Sequence, residues 1–169
     1  MPNSVIIREG LAADIPGIMR LKLELAISDG IAYTVRANAA DWERDGFGTN
    51  RRFTVFVAEQ AGHIIGIAIC GDRYFPGWVG LTISLLDLCV ESRHRSHGVG
   101  TALLARVAEF AKARGCVMIE LTMRAGNRAA ALYERVGFAE VTEIRNYVIA
   151  GDALDRLAAA VPPPVRKAG

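Results

Sequence analysis

The chain has 169 residues, 51% of them hydrophobic and 22% charged, with a net charge of +2. This suffices for one domain-sized core, leaves too little charge for a disordered chain, and excludes a general basic field for nucleic acid. Three cysteines, Cys70, Cys89 and Cys116, lie in apolar runs; an odd number argues against a disulfide scaffold and for a reducing compartment. No Cys–Cys or His–Cys spacing suits zinc, so no metal is expected. No basic segment leads into a long apolar run at the N-terminus, and no stretch is long enough to span a bilayer. The expectation is a cytoplasmic protein with no membrane or nucleic-acid partner.

In chain order, Val5 to Arg8 reads as a short strand. Asp14 can cap a helix with Pro16 in its first turn and Ile15, Ile18, Leu21 and Leu25 at helical spacing, ended by Ser28-Asp29-Gly30. Asn38 to Asp45 is a second short helix, stopped by Gly46 and Gly48. Phe53 to Glu59 and His63 to Cys70 alternate as strands around the Ala61-Gly62 turn, and residues 71 to 77 form a loop. Val79 to Glu91 is a long strand, completing an antiparallel meander. From Gly98 the period becomes helical, with Val99, Leu103, Val107 and Phe110 on one face and Gly115 at the end. Val117 to Met123 is a strand and Arg128 to Val136 a helix. Phe138 to Glu143 and Arg145 to Ala150 are two further strands, and Asp152 to Ala160 is an amphipathic helix stopped by three prolines. With no repeat and no linker, residues 1–161 make one domain and 162–169 a loose tail. The strand–helix–strand unit from Val79 to Met123 implies a parallel pair in an otherwise antiparallel sheet.

The most informative segment is Leu88-Cys89-Val90-Glu91-Ser92-Arg93-His94-Arg95-Ser96-His97-Gly98-Val99-Gly100-Thr101. A strand enters a basic, glycine-bearing loop that opens a helix, whose first N–H groups point outward with partial positive charge. Gly98 and Gly100 let a diphosphate approach the backbone, and Arg93 and Arg95 add charge. By itself a Gly-x-Gly is also compatible with a plain helix start after a strand. A dinucleotide fingerprint fails because Leu103 stands where its third glycine belongs, and a P-loop fails because no Lys-Ser or Lys-Thr follows the second glycine.

The pattern Arg95, Gly98, Gly100, followed by Thr101-Ala102-Leu103-Leu104, resembles the acetyl-CoA motif of the GNAT superfamily. A second block, Asn127 to Phe138 with Leu132-Tyr133-Glu134 and Gly137-Phe138, is similar to that family's Asn…Leu-Tyr-Glu…Gly-Phe element. Here Asn127 stands one residue later than the family's asparagine, with Gly126 in its place. The resemblance runs from about Ile7 to about Val148. It implies an α/β (α+β) GNAT fold: a mixed, mainly antiparallel central sheet flanked by helices, with CoA between two splayed parallel strands. It also implies an N-acetyltransferase that moves acetyl from acetyl-CoA to a primary amine by direct attack. Arg95, Ser96, His97, Gly98, Val99, Gly100 and Thr101 would hold the diphosphate. Leu88, Cys89 and Val90 would pair with pantetheine, with Asn127 and Tyr133 also at the cofactor. The Val90 N–H would polarise the thioester carbonyl. Tyr133 would protonate the departing thiolate, as a phenol of pKa ~10 beside a thiol of ~8.5 can do.

Relatives acting on polyamine-like amines carry an acidic pair late in this strand. Here the pair is Leu86-Asp87, so Asp87 is the expected base or amine anchor, with Glu120 or a water chain as substitutes. Cys89 in an apolar strand reads as packing, not as a nucleophile. Asp29, Tyr33, Trp42, Tyr74, Phe75 and Trp78 are candidates for the acceptor pocket, where a ring flanked by carboxylates can receive a cation. The expected partner is a small-molecule amine, with a homodimer through the segment Arg145 to Ala160 as a further possibility. Two rivals from other classes are a non-catalytic acyl-CoA-binding regulatory module and a nucleotide-binding α/β domain.

Overall fold

A computed structural model describes residues 4–76 and 80–160, apart from the side chain of Tyr33. Contacts divide the chain into two units, Met1–Val136 and Gly137–Gly169. The first contains a five-stranded sheet in the order β1-β2-β3-β4-β5: Ile6–Glu9, Thr54–Gln60, His63–Phe75, Gly80–Val90 and Met118–Leu121. The first three neighbouring pairs are antiparallel and β4–β5 is parallel, as the strand–helix–strand unit requires. Its longer helices are α1, Ile15–Ser28, and α3, Val99–Ala113. The shorter ones are α2, Ala39–Trp42, which continues into a π-helical turn at Glu43–Phe47, and α4, Ala130–Arg135.

Both faces of the sheet are covered. On one, Leu103, Leu104, Val107 and Ala111 of α3 pack on Phe56, Ala58, Ile65, Ala68, Cys70, Ile83 and Leu85. On the other, Ile15, Ile18 and Leu21 of α1 pack with Trp42 on Val55, Val57, Ile64, Ile67, Ile69 and Cys89. Asn38 begins α2 with a reciprocal pair: its side chain accepts from the Asp41 N–H, and Asp41 accepts from the Asn38 N–H. Asp14, expected as a side-chain cap for α1, instead accepts from Arg8 and from the Leu11 N–H. With Glu59 also on Arg8, it ties β1 and β2 to the start of α1.

Two expectations are corrected. Residues 71–75, read as a loop, extend β3, because Gly71 to Phe75 pair in register with Ser84 to Gly80. Residues 138–150, read as two strands, have no strand partner among the described residues. Their alternating apolar side chains stand largely in solvent, with Tyr147 85% and Val148 82% exposed. Period-two alternation makes a segment suitable for a sheet, but the strand exists only when another edge supplies hydrogen bonds. The second unit contains one described helix, α5, Asp152–Ala159. No described helix is long and apolar enough to cross a membrane.

Candidate active site

The site is organised by an irregularity in β4. Ile69 faces Asp87 and Cys70 faces Leu85, so Leu86 is an extra residue bulged out of the ladder. Before it, Ile83 and Leu85 point into the α3-side core; after it, Leu88 and Val90 pack against that core while Cys89 belongs to the α1-side core. Without the extra residue, Asp87 would share a face with Leu85. With it, the carboxylate is turned toward α1.

The backbone is redirected as well. The Glu91 N–H donates to Ile65 O at 2.9 Å. Because alternate residues face opposite neighbours in an antiparallel ladder, the N–H groups of Leu88 and Val90 point away from β3, toward the β5 side. There the parallel pairing stops at Leu85–Leu121, whereas β4 continues to Val90. Past that point β4 has no strand partner on this side among the described residues, which leaves outward-facing amides along it.

The loop after β4 turns through Ser96 at φ 63° and Gly98 at φ 81° before α3 begins. No side chain caps α3, which leaves its first-turn amides for an external anion. A Cβ on Gly98 would meet nothing within 4 Å, so the loop is open at that point. Gly100 has a packing task that the sequence did not show: its Cβ would lie 3.1 Å from Leu132 Cδ2 and 3.9 Å from Val90 Cγ2. It is small so that α4, carrying Tyr133, can sit against the start of α3 and the end of β4. Arg95 donates from Nε to Val90 O at 2.8 Å, and its Nη2 lies 3.7 Å from Glu24. It therefore fastens the loop to β4 and to α1, with its side chain half-exposed. His97 Nδ1 contacts Arg95 O at 2.6 Å, within the same loop. The uncapped helix start, the open Gly98 and the outward amides of β4 suit the diphosphate and pantetheine of an acyl-CoA.

Asp87 is the most buried carboxylate of the site, and Lys22 Nζ on α1 is 2.6 Å from its Oδ1. Burial pushes this carboxyl above its ordinary range, with Lys22 acting in the opposite direction. Half-buried Tyr133 packs on the α3-side core. Burial first, and the charge of Asp87 second, raise its phenol, keeping it protonated at neutral pH. The Cys89 thiol is 3% exposed and pushed up to about 11 by burial, so it is not a ready nucleophile. Asn127 accepts from the Ala129 N–H at 2.9 Å and so shapes the turn before α4. Glu120, the other candidate, is bound to Arg73 and does not line the cleft that Asp87 lines.

Asp87 also lines a cleft of about 220 Å³ with Ala37, Asp41, Trp42, Asp45, Phe53 and Leu86. Of the expected lining residues, Trp42 is present, packed edge-on to Phe53. Tyr74 is 58% exposed and Phe75 lies under Arg73; the Trp78 expectation falls outside the described residues. A larger hollow of about 390 Å³, lined by Glu9, Leu11, Phe47 and Arg51 among others, contains none of the residues above.

Sequence reasoning missed three participants. Lys22 holds Asp87. Glu91 gathers Arg20, Arg93 and His94. Glu24 pairs with Arg20 within α1 and with Arg95 of the loop after β4. Only the Arg20–Glu24 spacing of four residues left a trace in the sequence.

The sequence profile of the Acetyltransferase (GNAT) family matches residues 24–138. A thialysine N-epsilon-acetyltransferase from Mus musculus is 30% identical over 167 residues, covering 92% of this chain and 98% of that protein. Among solved structures, an integron cassette protein from V. cholerae aligns with a TM-score of 0.76 at 21% identity, covering 93% of this chain and 99% of that one. An aminoglycoside N-acetyltransferase, AAC(6')-Iy, in complex with CoA, aligns with a TM-score of 0.71 at 20% identity over 88% and 97%. The chain belongs to the GNAT acetyltransferase family. It is an acetyl-CoA-dependent N-acetyltransferase.

Proposed function

We propose that the acceptor is a small cationic primary amine, received by Asp87 in the cleft on the α1 side of β4. The observation that carries this reading is the bulge at Leu86. It places a buried carboxylate on one side of the strand while the amides of Leu88 and Val90 face the gap beside β5. Acetyl-CoA supplies an activated acetyl group as a thioester. Asp87 draws in the ammonium and takes its proton, because an amine of pKa ~10 is protonated at neutral pH and cannot attack until it loses that proton. The Val90 N–H hydrogen-bonds the carbonyl oxygen as charge develops on it. Tyr133, protonated and on the opposite side of β4 from Asp87, gives its proton to the leaving thiolate. Gly98 and the first turn of α3 hold the diphosphate, and Arg95 holds the loop in shape. The buried Cys89 thiol favours transfer straight to the amine over a covalent enzyme intermediate.

Three carboxylates and the Trp42 ring in the cleft lining favour a positively charged acceptor. Names among the relatives, thialysine and aminoglycosides, point to small amines as well. The test is thiol release from acetyl-CoA across polyamines, amino acids, aminoglycosides and peptides with free N-termini. Small multiply charged amines should give the highest kcat/KM. If peptides are the better acceptors, the small-amine reading loses.

A further inference from the structure

The carboxylate proposed to receive the acceptor already holds an ammonium belonging to the protein. Lys22 reaches from the middle of α1 to Asp87 on β4, 65 residues away in sequence, and meets it at 2.6 Å. The side chains are 29% and 16% exposed, so the pair is part-buried yet reachable from solvent. Asp87 is the only carboxylate the described residues place against Lys22. By contrast, Asp41 and Asp45, the other two acids of the cleft, are held by Arg44, and Asp45 also by Arg52. Those pairs are short-range or exposed; among the described residues the Lys22–Asp87 pair is the ion pair that joins α1 to the acceptor wall.

We infer that Lys22 is a placeholder for the acceptor: its ammonium occupies Asp87 in the free enzyme and is displaced when a substrate amine binds. The inference rests on the acceptor reading above. A primary ammonium and the tip of a lysine are the same chemical group, so a carboxylate that accepts one accepts the other with the same geometry. The arrangement has a use. A buried carboxylate without a partner is costly, and Lys22 supplies one whenever the cleft is empty. It also lowers apparent affinity by the fraction of time the anchor is occupied. That factor is common to all acceptors, so weak monovalent amines fall below saturation at concentrations where amines with additional contacts to Trp42 or the outer acids still bind. Lys22 thus sets the affinity threshold of the acceptor site, acting through Asp87.

The test uses the full chain and whichever primary amine of the panel has the highest kcat/KM. Lys22→Met should lower the KM of that amine about five- to tenfold, with the KM of acetyl-CoA unmoved. Lys22→Arg, which keeps the pair and strengthens it through a forked donor, should raise the amine KM. Independently of folding in any variant, reductive methylation of wild-type Lys22, read by mass spectrometry, should accelerate severalfold when the N,N-dimethyl analogue of that amine is added. With every amine nitrogen of the analogue made tertiary, it carries protonated nitrogens but nothing to label. An amine KM that rises or stays fixed in Lys22→Met, or labelling that slows or does not change with the analogue, overturns the placeholder. Should Asp87→Asn leave the amine KM and kcat unchanged, the acceptor reading itself fails, a result distinct from failure of Lys22 alone.

Discussion

In the proposed site at the end of β4, the cosubstrate side and the acceptor side use different parts of the polypeptide. Toward β5 and α3 the working groups are backbone: the amides of Leu88 and Val90, the open turn at Gly98 and the uncapped start of α3. Toward α1 they are side chains in ion pairs: Asp87 with Lys22, Glu91 with Arg20, Glu24 with Arg95. Backbone recognition requires particular conformations, hence glycines at fixed positions, and these persist as a motif. Side-chain recognition requires only that charges meet in space, which many sequences achieve. The contrast explains why one substrate is legible and the other must be found by experiment.

The largest effect that would break this division is Asp87→Asn. Loss of the base should reduce kcat/KM about 10³-fold. In the wild type, burial places the Asp87 carboxyl above its ordinary range. Since the ionised form is the active one, kcat/KM should fall as pH drops through that raised value, and a pH profile of Asp87→Asn should lack this acidic limb. Next comes Tyr133→Phe, expected to lower kcat about 10²-fold with little change in acetyl-CoA affinity. Equal kcat in steady-state assays would remove Tyr133 from the chemistry.

Gly98→Val should weaken acetyl-CoA binding on the order of tenfold or more, because a β-branched residue is strained at positive φ and fills the cradle. Titration of CoA by calorimetry reads this directly, and normal binding would move the diphosphate elsewhere. The smallest change is expected for Cys89→Ala. With the thiol buried and raised to about 11, kcat should stay within about twofold. A loss of activity approaching that of Asp87→Asn would instead favour a covalent intermediate.

Much of the fold was readable because apolar period and turn residues agree along the first unit. The spacing of Val99, Leu103 and Val107 fixed α3, and the Ala61-Gly62 turn marked the β2–β3 hairpin, with Ala61 at φ 50° and Gly62 at φ 78°. Residues 138–150 show the same alternation without a partner edge, since a strand depends on its neighbour and not only on itself. Of the proposed site, Gly98 was marked by the loop pattern, whereas Val90, Asp87 and Tyr133 entered through the resemblance to the family. Three things were not visible. The bulge at Leu86 has no glycine or proline to announce it. The dependence of Gly100 on Leu132 is a contact between helices far apart in sequence. Lys22 sits in a helix among apolar neighbours, where nothing local distinguishes a buried ion pair from a solvated lysine.

The extra residue at 86 also fixes a length. Asp87 and the Val90 amide stand on opposite sides of the bond-forming event, yet both belong to one stretch of strand. Three residues at about 3.3 Å each make a span of roughly 10 Å. Covalent geometry sets that span, so shifts of α1, α4 or the loop at Gly98 leave it intact. Substrate entry and product release can therefore rearrange the surrounding helices without changing the spacing between the proposed base and the amide proposed to polarise the carbonyl.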